Sequence, residues 1–202
     1  MRFLTSPAYD RLLAADRDFH VVFLVVGGLF TLLLLLFAGF SWVRFPRAGR
    51  RTFERRTYFS FGAVSLILGL LMAVTFWANV TSVVNPRQTL AGTPFSPLGE
   101  TWLRSGSAEI SPMLRQAIDD RLAWQRPKAI ICAVLLVAFV TLSVYLWRAL
   151  LRRSAAGEPL RKRRPMLGAG VLSAVACLPL MLMVIGNAEG AIAPLFLTVL
   201  YG

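Results

Sequence analysis

The sequence is poor in the side chains that metal and redox chemistry need. Of its 202 residues, two are cysteine and one is histidine. Cys132 and Cys177 cannot build a four-cysteine zinc site or a disulfide framework, and His20 alone cannot supply a bis-histidine haem ligand pair. Acidic charge is also scarce, at 10 Asp+Glu against 22 Lys+Arg. The chain has no phosphate-cradling Gly-Lys-Ser/Thr loop, no HExxH, no paired CxxC and no nucleophile elbow. His20 has no carboxylate partner at a motif spacing and reads as an interfacial residue. These absences predict a non-catalytic protein without cofactor or metal.

The most informative absence is charge within the long apolar runs. Val21–Val43, Phe59–Val84, Ala129–Trp147 and Met166–Ile185 contain no Asp, Glu, Lys, Arg or His. Backbone in hydrocarbon must satisfy its own hydrogen bonds, and a helix of about 20 residues spans the apolar layer. The fold class expected is an all-α integral membrane protein with four transmembrane helices. The first run is too long for the apolar core of a signal peptide, and Arg44, Arg47, Arg50 and Arg51 follow it instead of a small-residue cleavage site, so it is expected to stay in the membrane.

What charge there is lies unevenly. Segments 44–58 and 148–165 carry +5 and +6 of the total +12, whereas residues 1–20 are balanced and segment 85–128 carries +2. The positive-inside rule places the two basic loops in the cytoplasm and both termini outside. Trp42, Tyr58, Tyr145 and Trp147 then mark the inner interface, and Trp77 and Trp124 the outer one. Arg50, Arg51, Arg55 and Arg56, with Arg161, Lys162, Arg163 and Arg164, are expected to meet anionic lipid headgroups. No aromatic platform accompanies them, so nucleic acid is not an expected partner.

Two external stretches carry helix-start signals. Ser6-Pro7 suits an N-cap followed by proline at the first helical position, opening a short interfacial helix before the first span. Between spans two and three, Asn85–Gly106 reads as irregular. Ser111-Pro112 then opens an amphipathic helix whose stripe is Leu114, Ile118 and Leu122, with Pro127 as its expected stop. These three residues and Trp124 are the expected partner contact, while Asp119 and Asp120 read as a solvated face with Arg115 and Arg121. Asn79-Val80-Thr81 matches a glycosylation sequon, but it lies too near the bilayer to carry an argument.

Small residues recur every four positions at Ser65, Gly69 and Ala73, and at Ala169, Ser173 and Cys177, as helix–helix contacts require. Polar residues gather at the outer half of the second span, at Thr75, Asn79, Ser82 and Asn85. Asn187 and Glu189 stand at the same expected depth, in a Gly186–Gly190 stretch read as a break in the fourth apolar run, followed by a re-entrant or interfacial segment over 190–202. The functional expectation is an accessory or structural subunit of a larger envelope membrane complex, contacting other membrane subunits or a second copy of itself. The alternative is a small transporter or channel-type subunit with a polar outer-leaflet site around Asn79, Asn187 and Glu189. The Arg-, Ala- and Leu-heavy usage fits a GC-rich bacterial genome, hence a plasma (inner) membrane.

Overall fold

The computed structural model describes residues 5–50 and 52–202, and among them the regular structure is entirely helical. Four long helices carry the chain: α1 (Pro7–Arg44), α2 (Phe53–Val84), α5 (Pro112–Ala155) and α6 (Leu160–Ile192). Each is long and apolar enough to cross a membrane. Three short α-helices and a 3-10 turn at Phe45–Arg47 complete it: α3 (Pro86–Leu90) and α4 (Pro97–Ser105), both within the stretch expected to be irregular, and α7 (Pro194–Tyr201). At 32 to 44 residues the long helices exceed the roughly 20 that hydrocarbon needs, so each has a polar extension beyond its apolar stretch.

Those extensions settle three features that local sequence signals misplace. Ser6 caps α1 as expected, its hydroxyl accepting from Tyr9 N at 3.3 Å, but the opening turns run straight into the first apolar stretch without a separate helix. Ser111 likewise caps α5, accepting from Leu114 N at 3.3 Å, and the helix then passes through Pro127 instead of stopping there. An internal proline removes one backbone bond and costs about 3 kcal/mol, yet the carbonyl it frees, on Ala123, belongs to an exposed residue that water or headgroups can satisfy. The break expected at Gly186–Gly190 is also absent. Glu189 O accepts from Ala193 N at 2.8 Å, and α6 ends only at Ala193-Pro194.

The chain divides into two compact units, and every long helix contributes to both. The first comprises residues 1–28, 74–130 and 184–202 and holds an enclosed apolar core. Leu12, Leu103, Leu114 and Val199 are fully enclosed there, with Tyr9, Trp102 and Phe196 nearly so. Each is worth roughly 1.5–3 kcal/mol of burial. The segment after residue 190, expected as a re-entrant or interfacial piece, thus supplies core residues through α7.

Backbone polar groups lock α4 to α7. Ser96 caps α4 through Gly99 N at 3.1 Å, and both its N–H and its hydroxyl donate to Val199 O at 2.9 Å. Gly99 lies so close to the Val199 carbonyl that a β-carbon has no room. Gly106, in the left-handed conformation at φ 70°, ends α4 and returns the chain beside α1, where Ala8 N donates to its carbonyl.

The second unit, residues 29–73 and 131–183, packs by close helix approach and aromatic edges. Gly69 sits against Leu35 and Gly62 against the Trp42 indole. Of the small-residue stripes, Ser65, Gly69 and Ser173 are buried within this chain, whereas Ala73 and Ala169 at the stripe ends are exposed. Trp147 Nε1 donates to Gly170 O at 3.1 Å while the Trp147 ring meets Phe61 edge-on, with centroids 4.8 Å apart. Outside these contacts the helix sides are bare and apolar: only 11% to 22% of each spanning window is buried.

Candidate functional site

Three helices of the first unit converge on His20. One turn before it on α1 lies Asp16, whose carboxylate has 0% exposure. From α2 comes Asn79, and from α6 comes Glu189, 8% exposed and close enough to interact electrostatically with the imidazole. Phe19 and Phe196 flank the ring at centroid distances of 5.3 and 6.3 Å, so the polar groups sit in apolar surroundings.

Hydrogen bonding fixes which atom of each group faces which. Asn79 Nδ2 donates to Thr75 O at 2.8 Å, which turns its carbonyl Oδ1 toward His20 Nδ1 at 2.7 Å. The reversed amide would set Oδ1 against the Thr75 carbonyl, oxygen to oxygen, so the network assigns the orientation. With an acceptor opposite it, Nδ1 carries the hydrogen. The other nitrogen, Nε2, lies 3.4 Å from Asp16 Oδ1, within ion-pair range but longer than a well-formed hydrogen bond. Both Asp16 oxygens and His20 Nε2 are otherwise buried without a hydrogen-bond partner. Both ring nitrogens therefore face polar groups of the cluster, a geometry that stabilises charge and leaves neither nitrogen to activate a hydroxyl.

Beside Glu189, the Gln125 side chain of α5 packs onto Gly190 so closely that no β-carbon fits there, and Gln125 Oε1 is buried and unpaired. No group of three His, Cys, Asp or Glu side chains able to hold a metal forms among the described residues.

The polar residues singled out from sequence separate here. Asn79 and Glu189 join the cluster; Thr75 contributes its carbonyl and is itself exposed. Ser82 and Asn187 are half-buried, and Asn85 is exposed, with Nδ2 donating to Gln88 Oε1 at 3.2 Å. His20 is not merely interfacial, and its missing carboxylate partner is Asp16. The spacing of four residues on a helix was the available signal, hidden because residues 1–20 balance their charges and resemble a solvated tail. Gln125 had no such signal.

Among the expected partner contacts, Leu114 is wholly enclosed in this chain's own core and Ile118 packs against it. Leu122 lines a shallow surface hollow with Asp119 and Arg126. Trp124 is exposed, with Lys128 Nζ 3.7 Å above its ring. Among the expected lipid contacts, Arg50, Arg56, Arg161, Lys162 and Arg164 are exposed, and Arg55 lies over the Phe45 ring at 4.6 Å. Arg51 lies outside the described residues. Arg163 is not free for a headgroup: it is 8% exposed, its Nε donates to Glu158 O at 2.9 Å, and its guanidinium covers the Phe53 ring. The tight turn between α5 and α6 folds its chain onto that side chain. The two cysteines are free.

No family model matches the chain, and neither a curated protein nor a solved structure shows detectable similarity to it.

Proposed function

We propose that this chain is a small transport- or channel-type subunit of a bacterial plasma membrane, with Asp16, His20, Asn79 and Glu189 as its polar working site. The observation that carries this reading is Asp16. A carboxylate without exposed surface, 3.4 Å from a ring nitrogen and otherwise without a hydrogen-bond partner, costs several kcal/mol to bury that packing alone does not explain. The basic residues of the α1–α2 and α5–α6 turns favour a cytoplasmic location for those turns and an extracytoplasmic one for the termini. Anionic headgroups then meet Arg50, Arg56, Arg161, Lys162 and Arg164, at about 1 kcal/mol per side chain.

The purified chain, reconstituted in phosphatidylglycerol-containing vesicles with a trapped pH dye and, separately, a trapped alkali-cation dye, tests this. We expect flux above that of empty vesicles, with Glu189→Ala or Asn79→Ala reducing it to background while the protein elutes unchanged from a sizing column. Wild-type flux no greater than empty vesicles, from chain purified with every stoichiometric partner retained, would sink the proposal.

A second reading, an accessory subunit without flux of its own, is favoured by the bare apolar sides of the spanning helices, of which partners as well as lipid can take a share. A membrane protein co-purifying stoichiometrically in gentle detergent, and lost on substitution of an exposed residue such as Trp124, would support it.

A further inference from the structure

We infer that the Asp16–His20–Asn79 trio is a proton-binding site, in which Nε2 of His20 takes the proton and Asp16 balances the resulting charge. Neutral imidazole has one donor and one acceptor. Because Asn79 presents its carbonyl, the donor of the neutral ring must be Nδ1, leaving Nε2 as a bare acceptor 3.4 Å from a carboxylate oxygen, itself an acceptor. Two buried acceptors facing each other repel. Adding one proton resolves the conflict: the ring becomes a donor at both nitrogens, with Asn79 Oδ1 receiving one hydrogen and Asp16 Oδ1 the other.

The charged groups facing the ring agree with this. Asp16 comes from its own helix and Glu189 from α6; α2 offers only the Asn79 amide and α7 only the Phe196 ring. Arg17 and Asp18, next along α1, are exposed. A neutral ring leaves the negative charge of a buried carboxylate beside it uncompensated, and a proton on the ring compensates it. The step forms one N–H bond and takes the proton from water or hydronium, with no change of oxidation state. A metal cation fits less well, since zinc takes three or four protein ligands and the cluster offers no such set.

This deepens the transport reading, on which it rests for its use in the membrane, but the proton itself is read without flux. Because His20 is the only histidine, protein labelled with ¹⁵N-imidazole gives a single pair of ring-nitrogen resonances. In detergent at neutral pH we expect both nitrogens protonated in the wild type. In Asp16→Asn, whose side-chain amide donates to a bare Nε2 and so keeps the packing, we expect loss of the Nε2 proton with Nδ1 still protonated. A wild-type Nε2 that stays bare at neutral pH overturns the inference, as does a protonated Nε2 in folded Asp16→Asn, or loss of the Nε2 proton on adding sodium or zinc chloride. The wild-type spectrum alone decides if the variant does not fold. A bare Nε2 with flux intact removes the proton site and leaves the transport reading, whereas a protonated Nε2 in a chain without flux does the reverse.

Discussion

The two units of this molecule solve the same packing problem with different materials. The first encloses large side chains, Leu12, Trp102, Leu103, Leu114 and Phe196, and holds ionisable groups within that enclosure. The second relies on glycine and serine to let helices approach, with tryptophan and phenylalanine edges between them, and its long apolar side chains mostly point outward. Where water surrounds a unit, burial of large residues is the main stabilising force; where lipid does, the solvent is as apolar as leucine and close contact takes over. A buried Asp and Glu are tolerated only where a scaffold stiff enough to hold them exists, and the first unit provides it.

Truncating a core residue gives the sharpest test of that contrast. Leu114→Ala is expected to cost about 2–5 kcal/mol, since a fully enclosed side chain leaves a cavity. Leu36→Ala, on a side chain 61% exposed, is expected to change stability by less than about 0.5 kcal/mol. Denaturant unfolding in detergent micelles, followed by tryptophan fluorescence, measures both. Equal losses would mean that the bare side of α1 is covered by something the isolated chain lacks.

The parts of this fold that sequence foretold are those governed by local physics. Uncharged runs mark the four spanning helices, and Ser6-Pro7 and Ser111-Pro112 mark true helix starts. Signals that tertiary context overrides were misleading. Pro127 and the glycines around Glu189 weaken helix formation, yet the helix runs on through both: the one carbonyl that Pro127 frees lies on an exposed residue, and around Glu189 the backbone bonds persist to Ala193. Half of the candidate site was legible, in Asn79 and Glu189. Asp16 and His20 are one turn apart in plain view, but their significance depends on Asn79 arriving from 59 residues away, and a single sequence does not print that contact.

Glycine substitution sharpens the comparison on a smaller scale. At Gly99 of the first unit a β-carbon meets the Val199 carbonyl, so Gly99→Ala must push α4 off α7 and is expected to lose about 1–3 kcal/mol. At Gly39 of the second unit a β-carbon meets nothing within 4 Å. Gly39→Ala is therefore expected to gain roughly 0.5–1 kcal/mol from backbone entropy alone. Thermal unfolding of the two variants side by side reads both signs, and a loss at Gly39 would reveal a hidden contact on that face.

The smallest effect expected concerns two side-chain pairs of identical spacing in the first unit. Asp16–His20 and Glu100–Arg104 are each separated by one helical turn, at 3.4 and 3.2 Å, but the first pair is 0% and 13% exposed and the second 49% and 76%. Water and salt screen the second pair, whose two long side chains also lose rotamer freedom when held together. Glu100→Gln is accordingly expected to cost no more than about 0.5 kcal/mol in low salt and nothing measurable in molar salt. Unfolding of Glu100→Gln and of Asp16→Asn across a salt series separates screened from enclosed charge. The Asp16→Asn difference from wild type should be flat in salt, because ions do not reach a carboxylate without exposed surface. A slope as steep as that of Glu100→Gln would mean that the cluster is open to solvent, and Asp16 would then be one more surface carboxylate.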